Sequence, residues 1–279
     1  MNPYVQLFRI GNCIMGVVGL ILGAFIAEGF LIVEHATELL LTSIVVFTFV
    51  AGGNSLNDYT DREVDKRAHP KRPIPSGRIS PRSALTISAV MFTISFIFSL
   101  PLDWISILIV VSAIAVMILY ETWSKRAGLA GNLSISWLTG ALFLLGGSVV
   151  GSPEKTVIFA SMAFLATFGR EIVKDIEDME ADFDRRTLPK RIGKKWAGVL
   201  GSLAFLVAVV LSFEPFISGY LSTGYLMFVV IADAIFIYCS IVHFRNPTKG
   251  QTWAKYGMLV ALFAFLIGKL HVIFTEGFA

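Results

Sequence analysis

LLLTSIVVFTFVAGGNSLN, residues Leu39–Asn57, runs without a break into DYTDREVDKR, residues Asp58–Arg67. The first part carries no charge and has the length of one membrane-crossing helix, for which roughly 17 to 25 apolar residues suffice. The second part is dense in acids and then in bases. A helix that leaves an apolar environment and ends in ordered carboxylates is the element from which the rest of the chain can be read.

Similar apolar runs recur on both sides, the last two interrupted by Asp233 and Lys269. Before it lies Ile10–Ala27; after it come Ser83–Leu102, Trp104–Tyr120, Ala127–Pro153, Thr156–Gly169 with its continuation, Trp196–Phe213, Pro215–Val242 and Tyr256–Ile273. The expectation is an all-α, polytopic membrane protein of about nine spans, give or take one. Of the 279 residues, 55% are hydrophobic and only 15% charged, with mean hydropathy +0.73, more apolar content than one soluble core needs. No polar segment is long enough to bury a core of its own, so residues 1–279 read as a single membrane-embedded domain. The first apolar run lacks the short core and small-residue cleavage site of a leader, and no cleavable signal is expected. Cys13 and Cys239 lie in apolar runs at no metal-ligand spacing and read as packing residues.

Lysine and arginine crowd alternate connections: Arg62–Arg82, Lys125 with Arg126, Arg185–Lys195 and Arg245–Lys255. The positive-inside rule makes that face cytoplasmic, with the N-terminus inside and a multi-pass placement in the cell membrane. A net charge of only +3 gives no reason to expect nucleic acid as a partner.

Two acid clusters belong to this face. In the first, Asn57, Asp61 and Asp65 recur every fourth residue and drift only slowly round one helical face. In the second, Asp175, Asp178 and Asp182 follow a spacing of three then four, with Glu171 a turn earlier; Glu177, Glu180 and Asp184 fall elsewhere and face water. Aligned carboxylates repel each other, and a divalent cation relieves the repulsion. Magnesium binds through a few carboxylates and shares its remaining positions with substrate phosphates. A solvated helix end would explain either cluster alone. Two clusters at one membrane face, each beginning within apolar sequence, point instead to a functional cavity.

The string Asn57–Asp65 followed by Lys71–Gly77 (KRPIPSG) closely resembles the first aspartate-rich motif of the UbiA-type intramembrane prenyltransferases, and Gly169–Asp182 (GREIVKDIEDMEAD) with Arg186–Pro189 (RTLP) resembles the second. Ala181 departs from the pattern, where many members of the family carry glycine. The resemblance covers the whole chain. It implies a nine-helix fold around a central cavity with helical caps on the cytoplasmic side, and Mg2+ as cofactor. It implies catalytic and metal-binding roles for Asn57, Asp61, Asp65, Asp175, Asp178 and Asp182. The second motif looks most like the branch making archaeal-type ether lipids, which implies an isoprenoid diphosphate donor and a lipid-phosphate acceptor, geranylgeranyl diphosphate and geranylgeranylglyceryl phosphate. No protein partner is implied.

Cations are expected to assist the departing diphosphate: Arg67, Arg72 and Lys125 from the loops, Arg170 and Lys174 within the second motif. Lipid headgroups are the competing assignment for the loop residues. Tyr120 with Lys125 resembles the family's Tyr and Lys pair, one residue further apart than is usual; an interfacial aromatic belt explains Tyr120 equally well. Arg9 and Asn12 share one face at the start of the first span. Arg9 serves either to hold an acceptor phosphate or to anchor the helix. Asp233 and Lys269, inside the last two spans, are expected to pair with each other, and the four histidines carry no assignment.

Two other readings stand against this one. An aromatic quinone precursor such as 4-hydroxybenzoate would need the same donor site and a different acceptor pocket. A secondary transporter would place its acids at the bilayer midplane beside broken helices. A CDP-alcohol phospholipid synthase would need a DGxxAR string, which the sequence lacks.

Overall fold

The structure, a computed structural model, describes residues 2–180 and 186–276. Its described elements are helices, with no strand among them. A short α1 (Pro3–Phe8) leads into α2 (Ile10–Glu28); a 3-10 turn, Gly29–His35, then reverses the chain into α3 (Ala36–Thr60). There follow α4 (Arg62–Ala68), α5 (Pro81–Ser99), α6 (Trp104–Thr122), α7 (Leu129–Val149) and α8 (Val157–Glu177). The remainder is α9 (Leu188–Ile192), α10 (Lys194–Ser212), α11 (Glu214–Ile217), α12 (Thr223–Val242) and α13 (Pro247–Glu276).

Eight segments among the described residues are long and apolar enough to cross a membrane; the first, Ile10–Thr60, has 51 residues and contains both α2 and α3. Outward-facing apolar side chains such as Val210 (70% exposed), Met227 (68%) and Ile241 (67%) would be untenable against water and suit a lipid surround. One run was read too long. Pro215–Val242 is two elements, because Gly219 takes φ +74° and Ser222 is extended, turning the chain between α11 and α12.

Helix starts follow local chemistry. Ser80 precedes Pro81 and accepts the Ser83 amide at 3.0 Å, and Asp103 accepts the amides of Ile105 and Ser106. Asp103 also takes the Ser148 hydroxyl at 3.0 Å, tying the start of α6 to the end of α7. Without a hydrophobic drive between helices in lipid, close approach depends on small residues. At Gly146 an added Cβ would lie 2.5 Å from the Leu20 carbonyl oxygen on α2.

Two groups of helices result. α2, α3, α5, α6 and α7 surround one apolar cluster; α8, α10, α12 and α13 surround others, and α7 packs on α8 between them. Where the groups meet, an apolar cavity of about 150 Å³ opens among α2, α7, α8, α10, α12 and α13. Its walls are largely small or apolar, including Gly19, Ala166 and Ala232, with Asp233 among them. Both acid motifs sit at one end of the bundle, where α4 and α9 form the short caps.

Candidate active site

The first motif begins as regular helix and then breaks. Asn57 Nδ2 donates to Asp61 Oδ2 at 3.0 Å, as a four-residue spacing demands. Asp61 closes α3 with φ −91° and ψ 4° and opens α4, so Asp65 belongs to a second helix and the three side chains do not share one straight face. Arg62 stabilises the break: its guanidinium donates to the Tyr59 carbonyl at 2.8 Å and stacks 4.7 Å over the Tyr59 ring.

Each carboxylate of this motif has its own cation. Asp58, buried in α3, accepts from Arg9 at 2.6 Å, and Asp65 accepts from Arg72 at 2.6 Å. Asp61 accepts from Lys125 at 2.7 Å. Arg9 also donates to Asn57 Oδ1 at 3.1 Å, and stands at the elbow between α1 and α2 with φ +49°. It is the one non-glycine residue with positive φ among the described residues. Asn12 is exposed and lines, with Arg9, Asp58, His69, Lys71 and Arg72, an open cavity of about 710 Å³.

Lys125 comes from the 3-10 turn Ser124–Arg126 after α6 and folds inward, its side chain 2% exposed. It also donates to Thr60 Oγ1 at 2.8 Å and to Glu121 Oε2 at 2.6 Å. The neighbouring Tyr120 is half-buried, and Arg67 is exposed outside this network.

In the second motif Asp175 accepts from Asn132 Nδ2, on α7, at 3.0 Å. Arg170 pairs with Glu171 within α8, and Lys174 is exposed. The helix ends at Glu177, and Asp178 caps it in a 3-10 turn, so the expected single stripe through Asp175 and Asp178 is interrupted there. Asp182 lies outside the described residues. The two motifs approach through the loop that supplies Lys125: the Arg186 amide donates to the Arg126 carbonyl at 3.3 Å. Gly128 (φ +70°) leaves so little room that a Cβ would sit 2.9 Å from the Arg186 oxygen.

Among the described residues no three His, Cys, Asp or Glu side chains converge as a ready metal cage. The acids of the first motif turn to their cations instead. Asp58, Thr60, Glu121 and Asn132 join these hydrogen bonds and were passed over by the spacing argument. Glu121, the charge that ends the apolar run Trp104–Tyr120, and an asparagine within Ala127–Pro153 were the available signals. The expected Asp233–Lys269 pair does not form. Asp233 accepts the Ser212 hydroxyl of α10 at 2.8 Å, and the Lys269 ammonium lies 4.9 Å over the ring of Tyr220 in the turn before α12, so each has a partner elsewhere.

A helical membrane bundle with acid motifs and their partner cations gathered at one end defines a class, and sequence comparison agrees. The chain belongs to the UbiA prenyltransferase family, whose model matches residues 16–267. It is 36% identical over 275 residues to the digeranylgeranylglyceryl phosphate synthase of Methanothermobacter thermautotrophicus, covering 96% of each chain. A solved structure described as digeranylgeranylglyceryl phosphate synthase in membranes is 34% identical and superposes with a TM-score of 0.86, covering 96% of this chain and 98% of that one. A UbiA homologue from Archaeoglobus fulgidus, solved bound to GPP and Mg2+, shares the fold at a TM-score of 0.65 and 16% identity, over 95% and 99% of the two chains.

Proposed function

We propose that this prenyltransferase moves a geranylgeranyl group from geranylgeranyl diphosphate to geranylgeranylglyceryl phosphate, forming the second ether bond of an archaeal-type lipid. Residues 1–279 act as one membrane-embedded domain in the cell membrane, with the motif end and the N-terminus facing the cytoplasm. Prenyl transfer rests on one observation above others: acids and cations of both motifs gather at one end of a bundle whose interior holds an apolar cavity. The acceptor is supported by the curated relative and the solved structure named above, each matched over nearly the whole chain.

The donor set suits Mg2+. Asn57, Asp61, Asp65, Asp175, Asp178 and Asp182 offer only hard oxygen ligands. Asn132 adds an observation of the fold itself: its Nδ2 is held by Asp175 while its buried Oδ1 has no hydrogen-bond partner among the described residues. A buried amide oxygen left unpaired costs about 1–3 kcal/mol, and a cation or donor at this place would recover it. When bound, Mg2+ neutralises charge on the diphosphate as the allylic carbon–oxygen bond breaks.

The chain's own groups do the rest. Arg72 and Lys125 exchange carboxylate partners for diphosphate oxygens, and Arg170 and Lys174 add positive charge at the second motif; Arg67 contributes from the exposed side of α4. The apolar interior excludes water while the allylic carbon is cationic, with Tyr120 tolerating positive charge nearby. Arg9 and Asn12 hold the acceptor phosphate in the open cavity beside Asp58. The acceptor hydroxyl oxygen then bonds to the allylic carbon, and its proton passes to a motif carboxylate or to water. A transporter is disfavoured, since the motif acids sit at helix ends and not at mid-span.

The test is transfer from radiolabelled geranylgeranyl diphosphate in detergent, with Mg2+ and with EDTA, offering geranylgeranylglyceryl phosphate and 4-hydroxybenzoate in parallel. Product from the glyceryl phosphate alone, lost with EDTA, is the expected result. Product only from the aromatic acid would overturn the acceptor.

A further inference from the structure

Lys125 has three ammonium hydrogens and three acceptors, Thr60 Oγ1, Asp61 Oδ1 and Glu121 Oε2, so in this state none is left for a ligand. Glu121 lies outside both motifs, yet its side chain is 3% exposed, close to the 2% of Asp58 in the first motif. It holds more than the lysine. Glu121 Oε1 accepts from Asn57 Nδ2 at 3.1 Å, and Oε2 accepts from the Thr60 hydroxyl at 2.8 Å. With both amide hydrogens committed to Asp61 and Glu121, Asn57 presents its oxygen to Arg9. A buried carboxylate without such partners would be costly; here both oxygens accept, from Asn57, Thr60 and Lys125, of which Asn57 and Lys125 are expected to meet the metal and the diphosphate.

We infer that Glu121 is a positioning residue: it is the second counter-ion of Lys125, and it allows Asp61 to exchange the lysine for a divalent cation without leaving a buried ammonium unpaired. The inference rests on the metal-dependent reading above. When Asp61 turns to a metal, Lys125 keeps Glu121 and Thr60 and has one N–H free for a diphosphate oxygen. Without the Glu121 charge, Asp61 becomes the sole carboxylate on a buried lysine, and lysine and metal compete for it directly.

The experiment uses the full chain in detergent and measures Mg2+ binding calorimetrically without substrate, together with the Mg2+ dependence of turnover. Glu121→Gln should weaken Mg2+ binding roughly tenfold to a hundredfold, the range for partners that orient metal ligands. Its kcat should recover at saturating Mg2+, and Glu121→Asp, which keeps the charge, should restore most of the affinity. Lys125→Met removes the competitor and should bind Mg2+ more tightly than the unmodified chain; adding Glu121→Gln to it should then change little. This pair carries the test even if Glu121→Gln alone does not fold. An unchanged Mg2+ affinity in folded Glu121→Gln, a kcat loss that no Mg2+ concentration restores, or weaker binding in Lys125→Met would each overturn the inference. Because binding is read without substrate, an error in the acceptor leaves this result intact, whereas turnover of the unmodified chain that survives EDTA would instead refute the metal-dependent reading.

Discussion

Replacing Asp58 by asparagine tests whether the α1–α2 elbow is held for the acceptor. Arg9 sits there at φ +49°, a conformation that costs an L-residue roughly 1–2 kcal/mol. Its hydrogen bond to a buried carboxylate at 2.6 Å returns about 1.5–3 kcal/mol, and the bond to Asn57 adds to it. The two magnitudes are comparable, and the elbow depends on the Asp58 carboxyl buried beneath it. Asp58→Asn keeps the shape and a neutral bond. The expected loss is about 1 kcal/mol, since the guanidinium is a third exposed and solvent weakens the pair. For a chain of this size that corresponds to a melting shift of roughly 2–4 °C. Initial rates measured against each substrate in turn should show the acceptor KM rising about tenfold, equivalent to about 1.4 kcal/mol, with the donor KM little changed. Arg9→Gly relieves the backbone strain but leaves buried Asp58 facing Arg72 alone at 3.9 Å, so it should melt lower than Asp58→Asn and raise the acceptor KM further. Equal rises in both KM values for Asp58→Asn, or an Arg9→Gly chain with an unaltered acceptor KM, would refute the argument.

Asn132→Ala deletes an amide whose oxygen lacks a partner among the described residues, so it should change stability little while lowering turnover roughly tenfold to a hundredfold at limiting Mg2+; steady-state rates and a thermal melt decide it. His243 gives a pH signature. Ser202 donates to the Ser240 carbonyl and so receives Nε2–H; a proton added at buried Nδ1 would find no acceptor among the described residues, and burial pushes the imidazole down to about 4. A histidine depressed in the folded state stabilises it above its ordinary value near 6.5. That contribution, up to about 3 kcal/mol, should fade as pH falls from about 6.5 to about 4, and melts of His243→Gln should lose this part of the pH dependence.

Much of the candidate site was legible because its signals are local. Asn57, Asp61 and Asp65 announce themselves by spacing, and Asp175 with Asp178 by a run of acids after apolar sequence. Residues that complete them come from far along the chain: Glu121 meets Asn57 across 64 positions and Asn132 meets Asp175 across 43. No periodicity links such pairs. The break at Asp61 was also hidden, since a four-residue repeat reads the same whether or not the helix turns between its members. Asp233 and Lys269 show the converse: two charges in apolar runs invite pairing on paper, and a hydroxyl on α10 and an aromatic ring in the turn before α12 take them instead.

Composition and run length determined that the chain is a helical membrane bundle, because lipid leaves the backbone few other ways to satisfy its hydrogen bonds. Alternating basic connections separated the two ends, and motif spacing located the acids at one of them. Only the tertiary structure decided how those acids are neutralised, with Arg9 on Asp58, Arg72 on Asp65, and Lys125 shared between Asp61 and Glu121. That pairing depends on which helix ends and loops lie within a few ångströms of each other, and it is set by the close packing of helices that sequence distance does not reveal.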